Sequence, residues 1–172
     1  MAKNSWLWLF RRLVGISADP AHYMRVGDVS LARGDLSMAL RGYDIAIELD
    51  PQRWEAYEKR GVVYAHTKEF DKALADFGLA IAKGDDPTIA YQNRAATYDE
   101  MGKADLALAD YGRALDRTPD YWPAHYNRAM LAARLGDRQQ AAADARRCQE
   151  LGLPAAEMDE LWRQLREHGV AA

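Results

Sequence analysis

The chain lacks most of the features that announce a chemistry. Its 172 residues include one cysteine, Cys148, so no disulfide can form within it and nothing calls for an oxidising compartment. No run approaches the roughly 18 consecutive apolar residues of a membrane-spanning helix. The apolar stretch near the N-terminus is broken by Arg11 and Arg12 and has no A-x-A-like site after it, so a cleaved secretory leader is not expected. Excess positive charge is missing too. With 23 Lys and Arg against 26 Asp and Glu the net charge is −3, and a basic nucleic-acid-binding face is not expected. The four histidines, His22, His66, His125 and His168, form no i, i+4 pair and no H-E-x-x-H, so they read as surface or groove histidines and not as zinc ligands. Neither a phosphate-binding glycine loop nor a nucleophile elbow occurs. An enzyme, a cofactor and a metal site are therefore not expected, and a cytoplasmic protein is.

What is present is a period of 34 residues. Gly27, Gly61, Ala95 and Ala129 recur at that step, as do Ala39, Ala73, Ala107 and Ala141. Tyr43, Phe77 and Tyr111 follow suit, with Ala145 in the fourth slot, and Pro51 and Pro119 close two of the units. Apolar spacing in the first unit predicts helices over about 21–32 and 36–49, joined at Gly34. One helical pair cannot bury its apolar face alone, so stacked pairs must share a continuous core. Gly34, Gly102 and Gly136 share a turn slot that Lys68 occupies in the second unit, and that turn is expected to be the least regular. Gly84, Asp85, Asp86 and Pro87 displace the usual proline, so the second helix of that unit is expected to end early.

These slots resemble those of the tetratricopeptide repeat family, whose period is 34 residues with two helices per unit. The implied fold is all-α, a right-handed α-solenoid. Four repeats are expected over 19–153, at about 20–53, 54–87, 88–121 and 122–153. They would be preceded by an amphipathic segment over 1–18 and followed by a capping helix and tail over 154–172. In that last stretch Met158, Leu161, Trp162 and Leu165 line one face.

The resemblance implies a protein-interaction scaffold or adaptor, with the first helix of each pair lining a concave groove that holds a partner peptide or helix. The implied lining is Met24, Asp28, Glu58, Lys59, His66, Gln92, Asn93, Asp99, Tyr126, Asn127, Met130 and Arg134. Chaperone-binding members hold a partner's terminal carboxylate with a clamp whose first lysine would fall at Met24, Glu58 or Gln92. None of these is a lysine, so that specialisation is not carried over, although Asn93 and Asn127 fit such slots.

Two charge patterns remain. Arg60, Arg94 and Arg128 occupy one slot, and sixteen residues after each stands Asp76, Asp110 or Asp144; the first unit has Val26 and Gly42 instead. Joint presence and joint absence predict ion pairs between facing helices, within a unit or between neighbours, in preference to a ligand site. The segment 1–18 carries +3 against −6 for the remainder, with Trp6, Trp8, Phe10, Arg11 and Arg12 close together. It reads as a cover for the first repeat, as a peripheral membrane contact that would anchor an assembly factor, or as a self-association surface. Cys148 stands in the slot of Ala46, Ala80 and Ala114, which predicts a small, buried, inert thiol.

Overall fold

The computed structural model describes residues 19–171, and the segment 1–18, with the three readings placed on it, lies outside the described residues. Among the described residues there are nine helices and no strand. Contacts divide the chain into two compact units, one ending at Gly84 and the other starting at Asp85. The first holds α1 (Pro20–Ala32), α2 (Leu36–Leu49), α3 (Trp54–His66) and α4 (Phe70–Lys83). The second holds α5 (Thr88–Glu100), α6 (Ala104–Arg117), α7 (Trp122–Arg134), α8 (Arg138–Glu150) and α9 (Ala155–Glu167). Consecutive helices pair as hairpins, α1 with α2, α3 with α4, α5 with α6 and α7 with α8. Within the units α2 also packs on α3, α6 on α7, and α9 on both α7 and α8.

The 34-residue slots become packing positions. Ala39, Tyr43 and Ala46 in α2 and Ala73, Phe77 and Ala80 in α4 are all fully buried. Each ring lies against a glycine of the preceding helix. A Cβ on Gly27 would come within 2.5 Å of the Tyr43 ring, and one on Gly61 within 2.8 Å of Phe77. In the second unit Ala95 and Tyr111 share a core with Ala107 and Ala114. The fourth pair has no ring at Ala145; instead Ala141, Ala145 and Cys148 join Leu153, Met158, Leu161, Leu165 and Val170 in one cluster. The stripe read on 158–165 is thus buried at Met158, Leu161 and Leu165, with Trp162 partly buried beside them.

Three of the nine described helices, α1, α2 and α8, start at a capping aspartate. Asp19 Oδ1 accepts from Ala21 N at 2.9 Å with Pro20 in the first turn, and Asp35 and Asp137 Oδ1 accept from Met38 N and Gln140 N at 3.0 Å.

Two sequence expectations about the second pair are corrected. The turn at Lys68 is not irregular: Lys68 takes φ 61°, beside 77°, 73° and 83° at Gly34, Gly102 and Gly136. The closing bond of Glu69 N to Tyr64 O, 2.8 Å, matches that of Asp35 N to Ser30 O, 2.9 Å. Packing of α3 on α4 fixes the turn, so the lysine adopts the left-handed conformation that glycine takes without strain. Nor does α4 end early. Its last residue, Lys83, is in register with Leu49 and Arg117, and Gly84 N bonds to Ala80 O as Asp50 N bonds to Ala46 O, both at 2.9 Å. Helix length is set by the partner helix, and the displaced proline is absorbed in the following loop, where Asp86 accepts from Thr88 N at 3.0 Å.

A left-handed non-glycine residue costs about 1–2 kcal/mol, partly offset by the greater unfolded-state entropy of glycine. Lys68→Gly is therefore expected to stabilise the protein by up to about 1 kcal/mol. Urea unfolding of the two proteins side by side checks this, and a lower midpoint for the variant would refute the strain argument.

Candidate functional site

The arginine ladder is structural. Arg60 holds Asp76 through Nε and Nη2 at 2.7 and 2.8 Å, Arg94 holds Asp110 at 2.6 and 3.0 Å, and Arg128 holds Asp144 at 2.8 Å through both nitrogens. Each pair joins the two helices of one hairpin, and the three carboxylates are almost wholly buried, at 5%, 1% and 3% side-chain exposure. Fork-on-carboxylate geometry makes these charge-assisted pairs strong and specific in direction. In the first hairpin, where Val26 and Gly42 replace the pair, a Cβ on Gly42 would meet Gly27 N at 2.8 Å. Close backbone approach there leaves no room for an ion pair, which accounts for the joint absence.

The supporting groups differ between rungs. Among the described residues Asp76 pairs with Arg60 alone, while Arg60 also reaches Asp44 at 2.6 Å. Asp110 has Arg113 as well, and Asp144 also accepts from Gln140 at 2.9 Å. His125 is buried beside it, which corrects its reading as a surface or groove histidine. Its Nδ1 lies 2.7 Å from Asp144 and its Nε2 2.9 Å from the carbonyl of Pro119. Burial opposes ionisation of Asp144, but hydrogen bonds from Arg128, His125 and Gln140 outweigh it and hold the carboxyl below its ordinary range. Tyr57, one slot equivalent to His125, likewise donates to the carbonyl of Pro51 at 3.2 Å. His22, His66 and His168 are exposed. Cys148 is buried, and burial pushes its thiol up to about 12. Among the described residues no three His, Cys, Asp or Glu side chains are grouped to hold a metal ion.

The residues expected to line a groove fall on α1 and α3 in the first unit and on α5 and α7 in the second. Met24 is a correction: it is buried in the core with Tyr43, Ala46 and Val63, because its flexible apolar chain fills the space inside the hairpins. Asp28, Glu58 and Lys59 are half-buried and His66 is exposed. Lys59 Nζ reaches Asp28 at 2.7 Å, and the same carboxylate accepts from the Tyr43 hydroxyl at 2.9 Å. In the second unit Gln92, Asn93, Asp99, Tyr126, Asn127 and Met130 are half-buried and Arg134 is exposed. Arg134 reaches Asp99 at 2.6 Å. Glu58 and Asn93 are engaged within the protein, whereas the side chains of Gln92 and Asn127 have no hydrogen-bond partner among the described residues.

Sequence reading missed both of these cross-hairpin pairs. Asp28 and Lys59 are 31 residues apart and Asp99 and Arg134 are 35 apart. Those separations are one repeat less three and one repeat plus one, the offsets that put two side chains on adjoining faces of stacked first helices. It also missed a cavity of about 410 Å³ lined by Trp122 and Tyr126 of α7 and Ala156, Glu157 and Glu160 of α9.

A family model described as tetratricopeptide repeat matches residues 10–87 and 93–152. Among solved structures, PilW, a widely conserved type IV pilus biogenesis factor, aligns with a TM-score of 0.81 at 19% identity, over 90% of this chain and 72% of that one. YrrB, a TPR protein with an unusual peptide-binding site, aligns at 0.67 and 20% identity, over 92% and 87%. The first TPR of Spaghetti (RPAP3), bound to the HSP90 peptide SRMEEVD, aligns at 0.63 and 25% identity, over 67% and 92%. No curated protein matches the sequence.

The ladder makes a graded prediction. Arg60→Met strands Asp76 without an ion-pair partner among the described residues and is expected to cost about 3–5 kcal/mol. Arg94→Met and Arg128→Met leave Arg113, or His125 and Gln140, in place and should each cost clearly less. Urea midpoints for the three variants test the order, and equal losses would contradict it.

Proposed function

Because the chain belongs to the tetratricopeptide repeat family, we propose that it is a non-catalytic interaction scaffold that docks an extended or helical peptide on the faces of its first helices. The observation that carries this reading is the slot shared by Asn93 and Asn127, half-exposed on the two first helices of the second unit, which Lys59 occupies, also half-exposed, in the first unit. Amides both donate and accept, so Asn127 on α7 and Gln92 on α5 suit a peptide backbone and give affinity without demanding one sequence. The peptide-bound and peptide-binding relatives by fold are consistent with this mode. Charge plays a smaller part, since Lys59 and Arg134 are already neutralised by Asp28 and Asp99. That neutralisation also argues against capture of a partner's terminal carboxylate, in keeping with the missing clamp lysine.

A second, compatible reading concerns location. No helix among the described residues is long and apolar enough to cross a membrane. The +3 charge and paired tryptophans of residues 1–18 fit a helix lying on an anionic lipid surface. Flotation with phosphatidylglycerol-containing liposomes should carry the full chain, and lose it on deletion of residues 2–17. Absence of flotation for both proteins rejects peripheral membrane contact.

The docking reading is tested by affinity capture from the source lysate, with the full chain beside a folded Lys59→Ala, Asn93→Ala, Asn127→Ala variant. A protein enriched by the first and lost by the second is the expected result. An identical enriched set for both would place recognition elsewhere on the surface.

A further inference from the structure

The cavity between α7 and α9 is not explained by packing alone. Trp122 opens α7 with 41% of its surface exposed, the one aromatic ring among the exposed large hydrophobic side chains of the described residues. Tyr126 stands one turn further along α7, partly buried against the C-terminal cluster. Facing them on α9 are Ala156, too small to close the space, and two carboxylates, Glu157 and Glu160. A volume of about 410 Å³ is within the range of pockets that take a small ligand or a long side chain.

The wall charges are of one sign. Glu160 is fixed in place by Arg163, whose Nε lies 3.0 Å away, and by Gln164, while Arg163 is shared with Glu167. Glu157 is exposed and forms no ion pair among the described residues. At the far end of α7 the cation Arg134 is held by Asp99. Burial and then the Glu160 charge both raise the Tyr126 phenol, in keeping with a negative field at this spot. Two aromatic side chains, an alanine and two glutamates, of which Glu160 is paired with Arg163 and Glu157 is not paired among the described residues, suit a cation at the end of an apolar stem. Ring quadrupoles attract such a cation, and the stem replaces water against the indole and phenol.

We infer that this cavity receives the lysine or arginine side chain of a partner peptide docked on the second unit. The inference deepens the scaffold reading and rests on it for the peptide, but the charge preference belongs to the cavity itself. It makes basic residues flanked by apolar ones the chemistry to expect in a partner, and makes acidic peptides poor ligands for this end of the protein.

The test uses the full chain and two capped tripeptides, leucine-arginine-leucine and leucine-glutamate-leucine, followed by the indole N–H of Trp122 and the backbone amide of Ala156 in NMR titrations. The arginine peptide should shift both signals saturably and the glutamate peptide should not. Glu157→Gln should weaken the arginine peptide by about threefold to fivefold, the effect of one partly exposed charge. Trp122→Ala, read at Ala156, should weaken it by more than tenfold. Equal responses to the two peptides, shifts that never saturate, or an unchanged affinity in Glu157→Gln would each overturn the assignment. If the arginine peptide titrates as expected while the lysate experiment shows no role for Lys59, Asn93 and Asn127, the cavity stands and the wider docking face fails.

Discussion

Close approach of two helices at one point per hairpin is the constraint on which the rest of this structure depends. A ring of the second helix lies on the backbone of the first at Gly27 and Gly61, with no room for a side chain between them. That contact sets where the hairpin axes meet, and hence where the buried alanines at Ala39, Ala73 and Ala107 face their neighbours. Once the axes are fixed, the turn has little freedom left. Lys68 shows the ranking of forces: packing of the hairpin prevails over the backbone preference of one residue, because the first spreads over many contacts and the second is worth about 1–2 kcal/mol. The same ranking explains why α4 keeps its full length although its proline is displaced.

Burying three aspartates inside such a core is costly unless each is held by a directed partner, and in the second, third and fourth hairpins an arginine fork supplies one. A rigid two-point bond between facing helices fixes their sliding register as hydrophobic contact, which has no direction, cannot. The first hairpin achieves the same end differently, by backbone contact at Gly42. Charges nearer the surface follow the same habit of mutual satisfaction, with Asp28 on Lys59 and Asp99 on Arg134. The consequence for recognition is that most of the formal charge on the first-helix faces is already spent. What is left for a partner is amide, apolar surface and the few charges with no internal mate.

Much of the fold was legible because its determinants are periodic. The 34-residue step keeps alanine at 39, 73, 107 and 141 in all four units and a ring at 43, 77 and 111 in three, so the exception at Ala145 does not hide it. The Arg–Asp rungs were legible for the same reason, since both members appear and vanish together. His125 was not. It replaces tyrosines at 23, 57 and 91 in a slot where the sequence offers a ring of different chemistry, and its partners, Asp144 and the Pro119 carbonyl, come together only through folding. Met24 was misplaced because a periodic position tells which helix face a residue occupies, but not whether a flexible apolar chain turns inward from it. Helix ends at Lys83 were misread from local punctuation, which is the weaker signal when a partner helix fixes the length.

The cavity at α7 and α9 escaped a periodic reading because it occurs once. In the second unit α7 is flanked on one side by α5, a first helix of the same pattern. After Leu153 and Pro154 the pattern shifts, and α9 presents Ala156 and Glu157 toward Trp122 and Tyr126, where no ring or long apolar chain fills the gap. A break in repetition therefore creates both a void and an unbalanced charge at the same place. Void and charge together are what a binding subsite requires, since shape alone admits any apolar group and charge alone is screened by water. Where a repeat protein must tell one peptide from another, the non-repeating end is where its chemistry has the freedom to do so.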